Sequence, residues 1–224
     1  SALSDKDKSS IALYLGHAPF MTGIDNVDNA RIITFLREPI SRVKSFCQHV
    51  SEGKSPYLLN RFPPSTFDLD AFLESGTVEL ENIQARALID SWENGISSFD
   101  SLSAKDATDI AVDVLINKVP YFGLQEYFDE SLVLFSSALN WKLPVYASKN
   151  KKKSGKLISF EEHHLQKIIE LNTIDIALYK SARERFMHML SSASFDERKL
   201  KRLQVMNKLV GPAIHLEDKL VGLA

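Results

Sequence analysis

The sequence lacks the features that mark several common protein classes. Cys47 is the only cysteine, which excludes an internal disulfide and leaves no cysteine pair for a metal. No apolar run approaches the ~18 residues of a membrane-spanning helix, so we expect no membrane span. Residues 1–10 are polar and unlike a signal peptide, and no Asn-x-Ser/Thr sequence occurs. These absences together predict a cytoplasmic protein of bacterial type.

A strong charge of either sign is also missing. The net charge of −2 over 224 residues argues against bulk binding of nucleic acid, which is typical of strongly basic domains. The composition, with 44% hydrophobic and 25% charged residues, is that of an ordinary globular protein. We therefore expect a single domain over residues 1–224 and no nucleic-acid partner.

The sequence contains none of the common catalytic signatures. It has no G-x-x-x-x-G-K-[ST], G-x-G-x-x-G, H-E-x-x-H or G-x-S-x-G motif, which argues against the usual NTPases, dehydrogenases, zinc proteases and serine hydrolases. No spacing of metal ligands is visible, so we expect no bound metal. His163 and His164 are adjacent at a predicted helix start and are expected to be solvated.

The apolar pattern predicts many helices and a few short strands. A β-branched run at 31–36 is typical of a buried parallel strand, and a second short buried strand is predicted at 119–124. After Pro39, residues 40–50 place their apolar side chains on one arc of a helix. The sequence therefore predicts an α/β fold, with a small parallel sheet surrounded by many helices. Further segments are expected at 11–15 and 141–147 (extended), 54–68 (loop), and 69–74, 80–92, 104–117, 127–139, 172–190 and 195–209 (helical).

Arg37 and Ser45 are candidates for binding an anion. Arg37 ends the first strand, where its planar guanidinium can bind a phosphate group, and Ser45 lies eight residues later on the polar arc of the next helix. The N-terminus of that helix adds backbone N–H groups and a favourable dipole. The alternative is a surface pair of Arg37 with Glu38 and a solvated serine.

Two further elements are candidates for chemistry. His17, between Gly16 and a small residue, is expected at a strand end, where a general base at neutral pH is one interpretation and a hydrogen bond to a nearby carbonyl the other. Residues 149–156 contain five lysines, which either bind an anion or form a flexible solvated loop.

Gln84 and Arg86 stand with Asn82 on a predicted helix that begins near residue 80. Because the helical turn does not place all three on one face, a solvated surface explains at least one of them.

Five segments, in order along the chain, resemble the sulfotransferase superfamily. The similarity is to the branch of heparan-sulfate and uronyl 2-O-sulfotransferases and their bacterial relatives. The segments are a Gly-His motif at 16–20, a strand–Arg-Glu-Pro–helix motif at 33–46, Asn-x-Gln-x-Arg at 82–86, Phe-Gly-x-x-Glu beginning at Phe122, and a closing helix at 171–179.

The resemblance implies a P-loop-like sulfotransferase fold and a PAPS-dependent sulfotransferase (EC 2.8.2). Such an enzyme transfers a sulfonate group from 3′-phosphoadenosine-5′-phosphosulfate (PAPS) to a hydroxyl or amine of a glycan or small-molecule acceptor, without a metal. It implies that Arg37 and Ser45 bind the 3′-phosphate and that His17 is the catalytic base. Gln84 and Arg86 would contact the acceptor. Other cofactor contacts would come from the lysine-rich segment, namely Asn150, Lys151, Lys153 and Ser154.

Two departures from that family stand out. The family has aspartate where this chain has Glu38, and its glycine- and lysine-containing loop for the 5′-phosphosulfate has no counterpart before Gly16. We therefore expect a domain that lacks the N-terminal strand and this loop. The alternative function is a non-catalytic sulfotransferase-like protein that binds a nucleotide or an anionic partner.

Overall fold

The computed structural model describes residues 32–92, 99–119, 121–146, 157–192 and 195–221. Helices dominate this part of the chain, and a small parallel sheet lies among them, as the pattern predicts. The strands and helices, in chain order, are β1 (Ile33–Leu36), α1 (Pro39–Ser51), α2 (Leu69–Leu73), α3 (Ile83–Trp92), α4 (Ala104–Asp113), β2 (Tyr121–Leu124), α5 (Phe128–Ala138), α6 (Glu162–Leu171), α7 (Thr173–Ser191) and α8 (Glu197–Val221).

The sheet consists of β1 and β2, paired in parallel with Ile33 opposite Tyr121 and Leu36 opposite Leu124. Since parallel strands end at the same edge, the residues that follow Leu36 and Leu124 come close together. Gly123 allows this close packing, because a Cβ there would lie 2.7 Å from both a Phe35 ring carbon and the Ser131 Cβ.

The helix α1 has the amphipathic form expected from its sequence. Pro39 stands at its first turn, where the missing N–H has no helical partner to lose. Val43, Cys47 and Val50 are completely or almost completely buried, whereas Ser45 is exposed. The helix therefore packs its apolar arc inward and turns Ser45 to solvent.

Two apolar clusters form the core of the described residues. One surrounds the sheet and α3, α4 and α7, with Ile89, Leu115, Phe122, Leu178 and Phe186 among its members. The other packs α1, α2 and α6 around Phe72. The Arg37–Glu38 turn after β1 joins the sheet to the helix that packs in the second cluster.

Two predicted segments differ from the structure. The helix expected at 80–92 begins only at Ile83, because Val78–Leu80 form a short 3₁₀ turn and Asn82 adopts a positive φ of 43°. Residues 141–146 form no strand; the Tyr146 N–H donates to a side chain, Asn207 Oδ1 (3.0 Å), rather than to a neighbouring strand. The extended run predicted at 11–15 lies outside the described residues.

None of the helices in the described part of the chain is long and apolar enough to cross a membrane.

Candidate functional site

The turn between β1 and α1 is held by a side chain from α3. The backbone N–H of Arg37 donates to Gln84 Oε1 (2.8 Å), and Gln84 Nε2 donates back to the Arg37 carbonyl oxygen (2.9 Å). A primary amide is suited to this arrangement because it offers one acceptor and one donor in the same plane. Gln84 therefore sets the backbone from which the Arg37 side chain extends.

The next residue of the turn is held from the end of β2. The N–H of Glu38 donates to Glu126 Oε1 (2.9 Å), and the hydroxyl of Tyr179 on α7 donates to Glu126 Oε2 (2.8 Å). Burial and this hydrogen bond to a carboxylate raise the pKa of Tyr179, so the hydroxyl keeps its proton as a donor. Glu126 thus connects both strand ends to α7.

The start of α3 is fixed by a buried acid on α7. Asp175 is fully buried, and its carboxylate accepts hydrogen bonds from the N–H groups of Ala85 (2.7 Å) and Gln84 (3.2 Å). Burial raises the pKa of Asp175, while these N–H groups and the charge of Arg42 oppose that shift. Asp175 therefore acts as a cap for α3 from another helix, and it orients Gln84.

The capping of these two helices is reciprocal. Asn82, just before α3, accepts hydrogen bonds at Oδ1 from Ile174 N (3.0 Å) and Asp175 N (3.1 Å) at the start of α7. Asn172 Oδ1 accepts from Asn82 N (3.3 Å), and its amide nitrogen donates to the Leu80 carbonyl oxygen (2.8 Å). The N-termini of α3 and α7 are thereby tied together, and N–H groups that neither helix could satisfy alone are paired.

The N-terminus of α1 is already capped by an acid. The carboxylate of Glu38 accepts hydrogen bonds from Ile40 N (3.0 Å) and Ser41 N (2.7 Å). The alternative of an Arg37–Glu38 surface pair finds no support here, because this carboxylate is bonded to the helix. The same capping occupies two of the N–H groups that the sequence analysis expected to help bind an anion.

The guanidinium groups of Arg37 and Arg42 lie in contrasting surroundings. Arg37 is half-buried and forms no ion pair with the residues that the structure describes, while Ser45 is exposed on α1. Arg42 Nε and Nη2 are buried and lack a hydrogen-bond partner among the described residues. Burial lowers the pKa of Arg42, and the buried charge of Asp175 opposes this shift. A half-buried cation at a strand end is a suitable group to receive an anion.

Gln84 and Arg86, the two residues expected to contact an acceptor, have side chains with different partners. Gln84 faces the Arg37 backbone, whereas Arg86 donates to Asp100 Oδ1 (2.8 Å) and lies over the Phe99 ring at 4.4 Å. The Asp100 hydrogen bond raises the pKa of Arg86. Their role with an acceptor stays a prediction, and in this geometry Gln84 positions the turn while Arg86 binds the segment after α3.

A cleft of about 410 Å³ opens beside the turn. Its polar walls include Glu38 on one side and Tyr179, Lys180 and Arg183 of α7 on the other, and Ile40 belongs to its apolar lining. The cleft therefore places two exposed cations next to the same network that holds Arg37.

The remaining candidate residues lie outside the described residues. These are His17 and the four positions of the lysine-rich segment, Asn150, Lys151, Lys153 and Ser154. Their expected roles in catalysis and cofactor binding stay predictions.

Glu126, Asp175 and Tyr179 are positioning residues that sequence reasoning did not single out. Each stands in a segment that carries the family resemblance, Glu126 in Phe-Gly-x-x-Glu and the other two in the closing helix. Membership of those segments was the available signal. The sequence does not show which backbone groups these residues hold. Asp175, for example, lies 90 residues or more from the N–H groups that donate hydrogen bonds to it.

Comparison with known proteins agrees with the resemblance at a coarse level. The chain is 22% identical over 215 residues to heparan-sulfate 6-O-sulfotransferase 2 of the chicken, Gallus gallus, in an alignment that covers 85% of this chain and 53% of that protein. The chain thus spans about half the length of this relative. No family model matches the chain. No solved structure matches it. The similarity supports a relationship to the sulfotransferases.

Proposed function

We propose that the protein is a PAPS-dependent sulfotransferase that transfers a sulfonate group to a hydroxyl or amine of a carbohydrate or small metabolite. The observation that carries this proposal is the convergence of four resembling segments at the Arg37–Glu38 turn. These are the turn itself, the segment of Gln84, the segment of Glu126 and the helix of Asp175 and Tyr179. Four motifs that lie far apart in sequence thus meet at the turn where we propose that the anion binds.

The described residues suit a phosphate group through their side chains. The Arg37 guanidinium forms no ion pair with a described acid, and Ser45 offers an exposed hydroxyl on the following helix. The N–H groups of Ile40 and Ser41 contribute less, since Glu38 occupies them. We assign the 3′-phosphate of PAPS to Arg37 and Ser45, with Asn150, Lys151, Lys153 and Ser154 as further contacts.

In the proposed reaction, PAPS supplies an activated sulfonate group. His17 takes the proton from the acceptor oxygen or nitrogen as that atom forms its bond to sulfur. The bond from sulfur to the bridging oxygen of the phosphosulfate breaks at the same time, and 3′-phosphoadenosine-5′-phosphate leaves with that oxygen. Such transfers depend mainly on positioning and on stabilising developing charge. The network of Gln84, Glu126 and Asp175 serves the positioning, because Gln84 holds the Arg37 backbone and Glu126 holds the N–H of Glu38.

The fold and branch belong to the same proposal. We propose the P-loop-like sulfotransferase fold and the branch of the 2-O-sulfotransferases, whereas the relative found by comparison is named as a 6-O-sulfotransferase. The acceptor contacts of Arg86 are also proposed. Lys180 and Arg183 beside the cleft offer an additional place for an anionic acceptor group.

The test is binding of 3′-phosphoadenosine-5′-phosphate, measured by calorimetry and by thermal unfolding. We expect the nucleotide to raise the melting temperature of the protein and Arg37→Ala to abolish the increase. Arg185→Ala, which removes an exposed arginine of α7, is the matched control and should keep it. An absence of any increase in the wild type, or its retention in Arg37→Ala, contradicts the cofactor assignment.

Catalysis is tested separately from binding. His17→Ala should remove transfer of labelled sulfonate from PAPS while leaving nucleotide binding nearly unchanged. Nucleotide binding by a wild type that transfers no sulfonate to any acceptor of a carbohydrate and metabolite panel favours the non-catalytic alternative. Turnover retained in His17→Ala rejects His17 as the base.

A further inference from the structure

A group of metal-ligand side chains lies away from the Arg37–Glu38 turn, where α2 meets the start of α6. Asp70, His163 and His164 place one ligand atom each within 4.8 Å of one another. Asp70 Oδ1 lies 3.1 Å from His163 Nε2 and 3.0 Å from His164 Nε2. Both imidazoles therefore direct the same ring nitrogen towards one carboxylate oxygen.

These separations suit a small divalent cation. Ligand atoms about 2.0–2.1 Å from a tetrahedral zinc ion lie about 3.3 Å apart. The two observed distances are within a few tenths of an ångström of that value, and the ligand atoms of the two histidines lie within 4.8 Å of each other. Rotation of the exposed side chains is therefore needed to bring all three ligand atoms around an ion. Asp70 and His163 are exposed, at 67% and 58% of their side-chain surface, and are free to make that adjustment.

The burial of His164 differs from the expectation of a solvated histidine. Only 7% of the residue is exposed, and its Nε2 is buried without a hydrogen-bond partner among the described residues, although Asp70 Oδ1 is near. A buried polar nitrogen that faces a carboxylate without a hydrogen bond is costly. A cation bound to both atoms gives this nitrogen a partner.

The surroundings of His163 add a second argument. Its Nε2 faces Asp70 Oδ1, and its Nδ1 lies 3.6 Å from Glu161 Oε2. A neutral imidazole carries one N–H and cannot donate to both carboxylates. With a metal at Nε2, the ring proton stands on Nδ1 and faces Glu161, which is the carboxylate–histidine–metal arrangement found at many metal centres.

We propose that Asp70, His163 and His164 form a binding site for a divalent late transition metal of the zinc type, with water in the remaining position. Two imidazoles and one carboxylate are the ligands preferred by such ions. The ion would join α2 to α6, whose ligands lie 93 residues apart in sequence, a distance that conceals the site from spacing rules. The inference does not depend on the proposed sulfotransferase activity.

Metal binding has a specific structural consequence at His164. Its Nδ1 accepts a hydrogen bond from Glu161 N (3.0 Å), so the neutral ring carries its proton on Nε2. A metal at Nε2 displaces that proton, so the neutral ring must carry its proton on Nδ1, and the hydrogen bond from Glu161 N to Nδ1 must break. Saturation with zinc is therefore expected to shift the amide resonance of Glu161 and the ring nitrogen resonances of both histidines.

The experiment is a calorimetric titration of the protein with Zn²⁺ at about pH 7.5, where protons compete weakly for imidazole. We expect one equivalent to bind and the melting temperature to rise by about 5 °C at saturation. His163→Ala and Asp70→Asn should each weaken binding about tenfold or more, and both residues are exposed enough for the variants to fold. His188→Ala, which removes an exposed histidine of α7, should bind as the wild type does.

Two results overturn the proposal. One is a wild type that binds no zinc, in which case the three side chains are a hydrogen-bonded link between α2 and α6. The other is binding that persists in both His163→Ala and Asp70→Asn, which places the metal elsewhere. Loss of binding in these variants together with the expected resonance shifts supports the site.

Discussion

Gln84 holds both hydrogen-bonding groups of the Arg37 backbone with one side-chain amide. The two bonds are 2.8 Å and 2.9 Å long and join residues that are 47 positions apart. Asp175 Oδ2 in turn accepts from the Gln84 backbone N–H at 3.2 Å. The orientation of Arg37 therefore depends on two helices that lie much later in the chain.

Gln84→Ala should weaken binding of 3′-phosphoadenosine-5′-phosphate without removing a charge. It deletes the two hydrogen bonds to the Arg37 backbone and a longer one to Asp175 Oδ2 (3.5 Å). The half-buried N–H and C=O of Arg37 are left unpaired at a cost of about 1–3 kcal/mol, so we expect about a tenfold rise in Kd. Gln84→Glu should weaken binding at least as much, because its carboxylate accepts from the Arg37 N–H but is repelled by the Arg37 carbonyl oxygen and the Asp175 carboxylate. Calorimetry measures both variants.

The control for this prediction is Gln166→Ala on α6. Among the described residues, the Gln166 amide donates only to exposed Glu170 (3.0 Å), so its loss should leave the Kd unchanged. Equal affinity of Gln84→Ala and wild type would show that the turn keeps its shape without this residue.

Glu126→Ala should lower both stability and nucleotide affinity, since it removes the acceptor of the Glu38 N–H and of the Tyr179 hydroxyl. We expect a loss of about 1–3 kcal/mol in the free energy of unfolding, measured by urea denaturation. Glu126→Gln should retain most of the wild-type stability, because its amide oxygen still accepts from Glu38 N. The Tyr179 hydroxyl can rotate to accept a hydrogen bond from the new amide nitrogen. Glu130→Ala on α5 is the control, and a Glu130 effect of equal size would refute a specific role for Glu126.

Asn82 should be sensitive both to loss of its side chain and to its backbone conformation. Asn82→Ala removes the acceptor for Ile174 N and Asp175 N and leaves at φ 43° a residue that tolerates this left-handed region less well than asparagine, for a cost of about 2 kcal/mol. Asn82→Gly loses only the hydrogen bonds and should cost about 1 kcal/mol. Urea denaturation ranks the two variants; the reverse order would contradict the argument from backbone conformation.

Cys47 should be unreactive in the folded protein and should make stability depend on pH. Burial raises the pKa of the Cys47 thiol to about 12. The unfolded thiol ionises near ~8.5, so between these two values the folded state holds more protons than the unfolded state. This contribution to stability is complete below about pH 8.5 and falls by up to about 1.4 kcal/mol per pH unit as the pH rises towards 12.

A thiol reagent and a variant check this prediction. The reagent should modify no cysteine at about pH 8 in buffer and one per chain in urea, since the sequence has a single cysteine. The difference in the free energy of unfolding between wild type and Cys47→Ala should shrink as the pH rises. Rapid modification of the folded protein would contradict the burial of Cys47.

The sequence alone determined most of the local structure. The β-branched run before Arg37 formed β1, Pro39 began α1, and the arc of Val43, Cys47 and Val50 became buried, because these outcomes follow from the preferences of neighbouring residues. The helix start at Ile83 was misplaced by three residues. It depends on Asn82, whose positive φ is stabilised by hydrogen bonds to α7, and no local pattern reports such partners.

The tertiary structure alone decided how the site is assembled. The position of Arg37 and Ser45 after a strand is enough to predict an anion site from the sequence. The sequence instead predicts that Gln84 contacts the acceptor molecule, and it predicts no role for Glu126 or Asp175. The pairing of β1 with β2 brings Glu126 to Glu38, and the joined N-termini of α3 and α7 bring Asp175 to Gln84. Contacts between residues so far apart arise from packing of whole elements, which the order of residue types does not encode locally.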